Sequence, residues 1–169
     1  MATSGNQKYF PVGWDELHRN AKALAWRLVA LGPWKGIVAV TRGGMVPAAI
    51  VARELDVRMI ETVCVVGYHY DDSKPAQAAE TRIIKPPAGV GDGNGWLVVD
   101  DLVDTGRTAE VLRRMLPKAH FAAVYAKPAG RPLIDTFITE VSQDTWIYFP
   151  WDVEPQFMQP IAMQTKKED

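Results

Sequence analysis

The stretch from residue 97 to residue 108 constrains the fold of this chain more than any other. The apolar run 97–99 has the character of a buried strand and leads into two adjacent carboxylates, Asp100 and Asp101. A turn rich in Thr and Gly follows, and helical spacing resumes over residues 108–116. Like charges this close repel each other and are tolerated only where a cation, hydrogen-bond donors or water compensate them. The run therefore predicts a strand–turn–helix unit that binds a cation and a phosphorylated ligand.

Helical and strand-like segments alternate along most of the chain. The predicted elements cover residues 14–31, 36–41, 45–55, 59–68, 96–99, 108–116 and 120–125. Continuous apolar strands that alternate with helices are typical of a parallel sheet covered on both faces, and ligands bind beyond the carboxyl ends of such strands. The residues predicted to meet at that edge are Arg42, Gly43, Tyr68, Asp100, Asp101 and Lys127.

Composition excludes several classes of protein. The 169 residues include 19 basic and 20 acidic side chains, so the chain lacks the basic footprint of a nucleic-acid-binding domain. Cys64 is the only cysteine, which rules out an intramolecular disulfide and a Cys-based zinc site; its apolar neighbours predict a buried filler. No stretch approaches the ~20 apolar residues of a membrane span, and residues 1–8 lack the apolar segment of a signal peptide. We expect a single cytoplasmic domain.

The segment 100–108 resembles the signature of the type I phosphoribosyltransferases, which bind 5-phosphoribosyl 1-pyrophosphate. The turn 41–47 is similar to the family's pyrophosphate-binding turn. The blocks 127–132 and 143–152 are similar to the purine hood of its purine-using members. The similarity extends from about residue 8 to residue 160, and the order of the blocks is specific.

The resemblance implies an α/β fold with a mainly parallel sheet flanked by helices. It also implies a small hood, built from residues 127–160 with N-terminal residues, and a flexible lid loop at residues 69–95. Pro and Gly recur in this loop, and a hairpin around residues 81–84 is its one sign of regular structure. Lys74 and Arg82 compete as its basic contact to pyrophosphate.

The resemblance also implies roles for residues around the phosphorylated sugar. Asp101 is the expected Mg²⁺ ligand, Asp100 orients the ribose hydroxyls, and the peptide between Arg42 and Gly43 is expected to be cis. Asp100 and Asp104 are the catalytic residues implied. The implied contacts to phosphoribosyl pyrophosphate are Arg42, Gly43, Asp100, Asp101, Leu102, Val103, Asp104, Thr105, Gly106, Arg107 and Thr108.

The same resemblance implies roles for the residues that contact the purine. Asp104 is expected to face the ring near N7, and Trp146 to stack on the ring. The backbone of Ile147 is expected to contact the 2-substituent, and Asp152 to help shape the pocket there. Lys127 is the expected reader of the 6-position, because lysine carries donors and no acceptor and so favours a 6-oxo group over the amino group of adenine.

The implied activity is purine salvage: transfer of phosphoribosyl to guanine, xanthine and, less efficiently, hypoxanthine. The implied assembly is a homotetramer, and peripheral association with the inner membrane is implied for some relatives. Three alternatives stay open from sequence alone. They are a regulator that senses phosphoribosyl pyrophosphate and binds nucleic acid, a transferase for orotate or adenine, and a doubly wound phosphoacceptor domain.

Overall fold

The structure is a computed structural model and describes residues 8–68 and 80–152 of the chain. These residues form strands, α-helices and one short 3₁₀ turn at Arg131–Leu133. In chain order the elements are β1 (Lys8–Pro11), α1 (Trp14–Val29), β2 (Gly36–Thr41), α2 (Met45–Glu54), β3 (Ile60–Tyr68), β4 (Glu80–Lys85), β5 (Trp96–Val103), α3 (Arg107–Met115), β6 (His120–Ala126), β7 (Thr136–Glu140) and β8 (Thr145–Tyr148).

Six strands form one sheet in the order β4-β3-β2-β5-β6-β7. All neighbours in it are parallel except β4, which runs antiparallel to β3. The strands β1 and β8 form a separate parallel pair, with Lys8 opposite Thr145 and Pro11 opposite Tyr148. The prediction of a mainly parallel sheet flanked by helices is confirmed.

The central strands are buried on both faces, which explains why they are continuous apolar runs. Along β5, Leu97 and Val99 pack into the core on the α1 and α2 side, whereas Val98 packs on the α3 side. Along β2, Ile37 and Val38 divide in the same way. The alternation follows from the two-residue period of a strand, and it fixes the sheet between its two helical layers.

Helix α1 carries a narrow buried stripe. Leu17, Leu24 and Leu28 have no exposed surface, as their spacing predicts. The prediction that Trp14 and Leu31 share this buried face is wrong. Leu31 lies beyond the end of the helix, and Trp14, its first residue, is mostly exposed. No helix in residues 8–68 and 80–152 is long and apolar enough to cross a membrane.

The strand β5 extends four residues beyond its apolar part. Sequence alone predicts its end at residue 99, whereas its pairing with β6 continues through Leu102, opposite Tyr125, to Val103, opposite Ala126. Backbone pairing therefore carries the strand through both acids. The prediction of a loop from 69 to 95 is wrong over residues 80–85, which form β4 and pair with β3 at the edge of the main sheet; Arg82 lies in this strand. Lys74 and residues 69–79 of the expected lid lie outside the described residues.

Candidate active site

Asp100 and Asp101 lie side by side in β5, between β2 and β6. Asp100 accepts a hydrogen bond from the Asp101 N–H at 2.9 Å, and Asp101 accepts one from the Leu102 N–H at 2.7 Å. Burial raises the pKa of Asp100 well above its usual range, and the Asp101 carboxylate raises it further. Burial also raises the pKa of Asp101. Within the described residues neither acid has a basic ion-pair partner.

The turn between β2 and α2 presents its backbone to these acids. A Cβ atom at Gly43 would lie 2.2 Å from Asp101 Oδ2, and one at Gly44 would lie 2.4 Å from the Val99 carbonyl oxygen. At Gly44 the close atoms belong to the backbone, so a side chain is excluded there. At Gly43 a side chain would displace the Asp101 carboxylate, and glycine is what lets this carboxylate lie against the turn.

The cis peptide bond of this turn joins Thr41 to Arg42. The prediction of a cis bond between Arg42 and Gly43 is therefore wrong by one residue. Thr41 ends β2, and its hydroxyl donates to the Val63 carbonyl oxygen at 3.2 Å. The turn therefore begins directly after Thr41. The positions of Gly43 and Gly44 in the sequence indicate a turn but do not reveal the residue at which it begins.

The segment from Asp104 to Thr108 lines a pocket of about 140 Å³ at the start of α3. Gly106 immediately precedes the helix with φ of 85°, in the left-handed region that favours glycine. A helix start of this kind directs unpaired backbone N–H groups outward, a geometry that binds phosphate. The Thr105 and Thr108 side chains provide hydroxyl groups along the same lining.

Asp104 is held from two sides. Lys127 Nζ lies 3.0 Å from Asp104 Oδ2, and Gln143 Nε2 donates to Asp104 Oδ1 at 2.8 Å. Lys127 follows β6, and its N–H donates to the Val103 carbonyl oxygen at 2.9 Å. The lysine is only 4% exposed, which is unusual for this residue type. The structure thus brings Asp104 and Lys127, both predicted to face a purine, into direct contact.

The strand β8 follows the Gln143 segment and carries the other two residues predicted to bind a purine. Trp146 is 52% exposed, while Ile147 is 5% exposed and packs in the core near Tyr125. Because the Ile147 side chain is committed to the core, only its backbone is left for a ligand, whereas the indole of Trp146 keeps open surface. This division agrees with the backbone contact expected of Ile147.

A larger cavity of about 940 Å³ joins the β2–α2 turn to the C-terminal part of the described chain. It is lined by Arg42, Gly43 and Asp101 on one side and by Trp151 and Asp152 on the other. Asp152 accepts a hydrogen bond from the Phe149 N–H at 3.1 Å, and its charge contributes to raising the pKa of Asp101. Asp152 therefore lines the same cavity as Asp101.

Cys64 also lines this cavity and is partly exposed. The prediction of a fully buried filler is wrong for this reason. The apolar neighbours of Cys64 indicate a strand but do not reveal that β3 borders the cavity on one side.

The acids fit a hard divalent cation. Mg²⁺ prefers oxygen ligands and usually takes one or two protein carboxylates together with phosphate oxygens. The Asp101 carboxylate lies against the glycine backbone of the β2–α2 turn, and its charge lacks a protein cation among the described residues. In that same part of the chain, no group of three or more His, Cys, Asp or Glu side chains is arranged to hold a metal ion alone.

Comparison with known proteins agrees with this geometry. Residues 13–158 match the phosphoribosyl transferase domain family. The chain belongs to the phosphoribosyltransferase family. A xanthine-guanine phosphoribosyltransferase of Nitratidesulfovibrio vulgaris (strain DP4) is 57% identical over 161 residues, 95% of each chain. The protein of that name in Desulfotalea psychrophila is 60% identical over 155 residues, 92% of this chain and 93% of the relative.

A solved structure extends the comparison beyond close relatives. The purine phosphoribosyltransferase of Pyrococcus horikoshii superposes with a TM-score of 0.75 at 25% identity, covering 90% of this chain and 99% of that one. The type I phosphoribosyltransferase fold predicted from the signature is confirmed. Within this family fold, the signature segment is the end of β5 and the turn into α3.

Sequence reasoning missed Gln143 and Trp151 as individual site residues. Both lie in the block 143–152 that carries the resemblance. Neither residue belongs to a repeating apolar pattern, so the sequence does not single out either one. The one available signal was the position of Gln143 shortly before Trp146 and Ile147, which the resemblance predicts to contact the purine. Only the folded chain shows that its amide reaches Asp104 across 39 residues of sequence.

Proposed function

We propose that this phosphoribosyltransferase transfers the phosphoribosyl group of 5-phosphoribosyl 1-pyrophosphate to guanine, xanthine and, less efficiently, hypoxanthine. The products are GMP, XMP, IMP and pyrophosphate. The names of the relatives at 57% and 60% identity support this assignment. One structural observation carries it: a buried lysine, Lys127, is paired with Asp104 beside the loop that starts α3.

The Lys127–Asp104 pair supports a preference for 6-oxopurines. An ammonium group has three donors and no acceptor, and within the described residues Lys127 Nζ uses one of them, on Asp104. The remaining donors suit the oxygen of a 6-oxo group and leave the amino group of adenine without a partner. A buried donor that loses its partner costs about 1–3 kcal/mol, which is enough to discriminate between bases.

The phosphorylated sugar is assigned to the edge formed by β2, β5 and α3. In the proposal, residues Asp104–Thr108 cradle the 5′-phosphate, Arg42 and Gly43 contact pyrophosphate, and Asp100 orients the ribose hydroxyls. Leu102 and Val103 act through their backbone, since their side chains pack in the two cores.

Asp101 would hold Mg²⁺, which supplies charge stabilisation for the leaving pyrophosphate when bound. The chain's own contribution on this side is the backbone of the β2–α2 turn. The N–H groups of Gly44 and Met45 already donate to the Val40 and Arg42 carbonyl oxygens. In the proposal, the N–H groups of Arg42 and Gly43 stabilise the negative charge that develops as the bond between C1 and the pyrophosphate oxygen breaks.

The purine nitrogen forms a bond to C1 of the ribose while pyrophosphate leaves with the electron pair of the old bond. The base must lose a proton during this exchange. Asp104 is proposed to accept or share that proton at N7, and its ion pair with Lys127 keeps the carboxylate in reach. Trp146 is proposed to stack on the ring, which fixes the angle of attack.

A product assay tests the proposal. Purified protein is incubated with phosphoribosyl pyrophosphate, Mg²⁺ and one base at a time from guanine, xanthine, hypoxanthine, adenine and orotate, and nucleotides are quantified chromatographically. Turnover with the 6-oxopurines and little with adenine or orotate is expected. A folded sample that converts no 6-oxopurine contradicts the proposal and favours a regulator that only senses the sugar phosphate.

The proposed working assembly is a homotetramer. Large apolar side chains on α1 support an assembly, above all Trp26, which is 76% exposed beside the exposed Val29. Light scattering of the purified protein measures the state directly, and a monomer at micromolar concentration contradicts the assignment. Peripheral membrane association stays a prediction of the resemblance.

A further inference from the structure

Gln143 connects two loops that meet at the purine side of the site. It lies between β7 and β8, and its side-chain amide makes two hydrogen bonds in opposite senses. Gln143 Nε2 donates to Asp104 Oδ1 at 2.8 Å, and Gln143 Oε1 accepts from the Ala129 N–H at 3.0 Å. The amide therefore bridges the loop before α3 and the loop after β6.

The orientation of this amide is fixed by its partners. A flipped amide would set its NH₂ group against the Ala129 N–H and its oxygen against the Asp104 carboxylate, so both contacts would become repulsive. Glutamine is the residue type with a donor and an acceptor at this reach. A glutamate would keep the acceptor toward Ala129 and place a second carboxylate against Asp104.

The backbones of the two loops are held together without Gln143. A Cβ atom at Gly130 would lie 2.7 Å from the Asp104 carbonyl oxygen, and Lys127 N–H donates to the Val103 carbonyl oxygen. What the backbone leaves free is the side-chain torsion of Asp104. Lys127 holds one carboxylate oxygen and Gln143 holds the other, so the two together fix the carboxylate plane.

We propose that Gln143 is a positioning residue, whose amide sets the orientation of the Asp104 carboxylate for proton exchange with the purine. The inference rests on the proposed function, and it assigns to Gln143 a role that acts through Asp104 rather than on the substrate. A carboxylate that takes a proton in the transition state has to be held within a fraction of an ångström, because small misplacements cost large factors in rate.

Two substitutions separate this role from a structural one. Gln143→Met keeps the length of the side chain and removes both hydrogen bonds, so we expect kcat to fall about tenfold with KM for phosphoribosyl pyrophosphate unchanged. Because Gln143 is exposed, its loss has little effect on folding, and thermal unfolding checks that the variant is intact.

Gln143→Glu gives a readout that loose packing does not produce. The new carboxyl shares a proton with Asp104 at low pH, and the protonated pair reproduces the donor that the amide supplied. At higher pH the two carboxylates repel each other. The ratio of kcat for Gln143→Glu to kcat for the unmodified enzyme is therefore expected to fall roughly tenfold between about pH 4.5 and about pH 8, the range in which an exposed carboxyl next to a second carboxylate loses its proton.

Other charged groups near the pair contribute to both profiles, and the ratio removes the part of their contribution that the substitution leaves unchanged. Lys127 contacts Asp104, while the Lys8–Asp144 ion pair lies next to Gln143 along the chain. Arg107 begins α3 and Arg131 follows Gly130. Asp144→Asn is the matched control, since Asp144 bonds Ser142 and Lys8 but not Asp104, and its pH profile is expected to keep the shape of the unmodified enzyme.

The outcomes are distinct. A falling Gln143→Glu ratio, together with a flat Asp144→Asn ratio, supports the positioning role. A Gln143→Glu ratio that stays constant with pH overturns it while leaving the proposed function intact, and so does Gln143→Met at full kcat. An unmodified enzyme that makes no nucleotide from any 6-oxopurine overturns both.

Discussion

Two of the lysine–carboxylate pairs among the described residues, Lys85–Glu61 and Lys127–Asp104, differ in how many of the lysine's hydrogen bonds the protein completes. At the base of the β3–β4 hairpin, Lys85 Nζ contacts Glu61 at 2.8 Å and also reaches the carbonyl and hydroxyl oxygens of Thr62. Near α3, Lys127 Nζ has Asp104 as its one acceptor among the described residues. The first pair is saturated and partly exposed, while the second holds a buried lysine with donors to spare.

The difference supports a structural role for the Lys85–Glu61 pair and the proposed ligand-binding role for the Lys127–Asp104 pair. Glu61 also accepts from the Thr62 and Ala88 N–H groups. The Lys85 hydrogen bond, followed by these two backbone bonds, lowers the pKa of Glu61 to about 2. Because both oxygens of the Glu61 carboxylate already accept hydrogen bonds within the protein, this side chain is poorly placed to bind a ligand. The acids of β5 lie at the other extreme, with raised pKa values and no basic partner in the described chain.

The largest effect on activity is expected at Asp101, one of the two acids of β5 that have no basic partner among the described residues. Asp101→Asn should lower kcat/KM for phosphoribosyl pyrophosphate about 100-fold or more, because the neutral amide weakens the metal–substrate complex. Steady-state kinetics at limiting Mg²⁺ measure this. Asp92→Asn, which breaks an exposed pair with Lys118, is the control and should stay near the unmodified rate. Near-normal turnover of Asp101→Asn would remove Asp101 from the metal site.

The next effect concerns the unsaturated lysine. Lys127→Ala should reduce the preference for guanine over adenine about 30-fold, because the donor toward the 6-oxo group is lost. Competition between the two bases, followed by product analysis, measures the preference directly. Lys85→Ala, at the saturated pair, should leave the preference unchanged. If Lys127→Ala rejects adenine as strongly as before, another group reads the 6-position.

A smaller effect of opposite sign is expected on stability. The pKa of Asp100 is raised in the folded protein, so its ionisation destabilises the native state increasingly as pH rises above about 4. Asp100→Asn removes that penalty, and we expect Tm in EDTA at pH 7 to rise by about 2–4 °C, equivalent to ~1 kcal/mol. Below the pKa of the unfolded carboxyl the two proteins should melt alike. If the Tm of Asp100→Asn at pH 7 is lower than that of the unmodified protein, ionised Asp100 does not destabilise the native state.

The smallest effect on activity is expected at the saturated pair. Glu61→Gln should leave kcat within about twofold, since the hairpin base lies outside the proposed site. The lowered pKa of Glu61 means that its contribution to stability is present above about pH 4.5 and is lost as pH falls toward about 2. The Tm difference between Glu61→Gln and the unmodified protein should therefore shrink on acidification. If the Tm difference between the two proteins persists at pH 2, Glu61 stabilises the fold through packing rather than through its charge.

Much of the sheet was predictable because burial on both faces leaves long apolar runs. The bounds of β2 are those that the sequence predicts, and β3 and β6 differ from prediction by one residue. The extension of β5 through Asp100 to Val103 was not predictable, since hydrogen bonding to β6, rather than side-chain character, continues that strand. The strands β1, β7 and β8 are short or lie at an edge, where composition gives little signal.

The candidate site also has features that the sequence predicts and features that only the folded backbone shows. The resemblance predicts that Lys127 and Asp104 both face the purine, and the structure places Lys127 Nζ 3.0 Å from Asp104 Oδ2. Their direct contact was not predicted. The peptide bond at which the β2–α2 turn begins and the reach of Gln143 depend on backbone geometry that residue types do not encode. The roles of both acids, of Trp146 and of the bound metal stay predictions that the kinetic experiments address.

The pairing of β1 with β8 has a consequence for how the protein is made on the ribosome. All six strands of the main sheet have been synthesised once residue 140 emerges, whereas β1 has no partner until Tyr148 follows. The first strand of the described chain therefore has no partner until all six strands of the main sheet have been synthesised. The edge assigned to the sugar phosphate can therefore form before the strand that carries Trp146 pairs with β1, so the proposed site would be completed from the phosphate side toward the base.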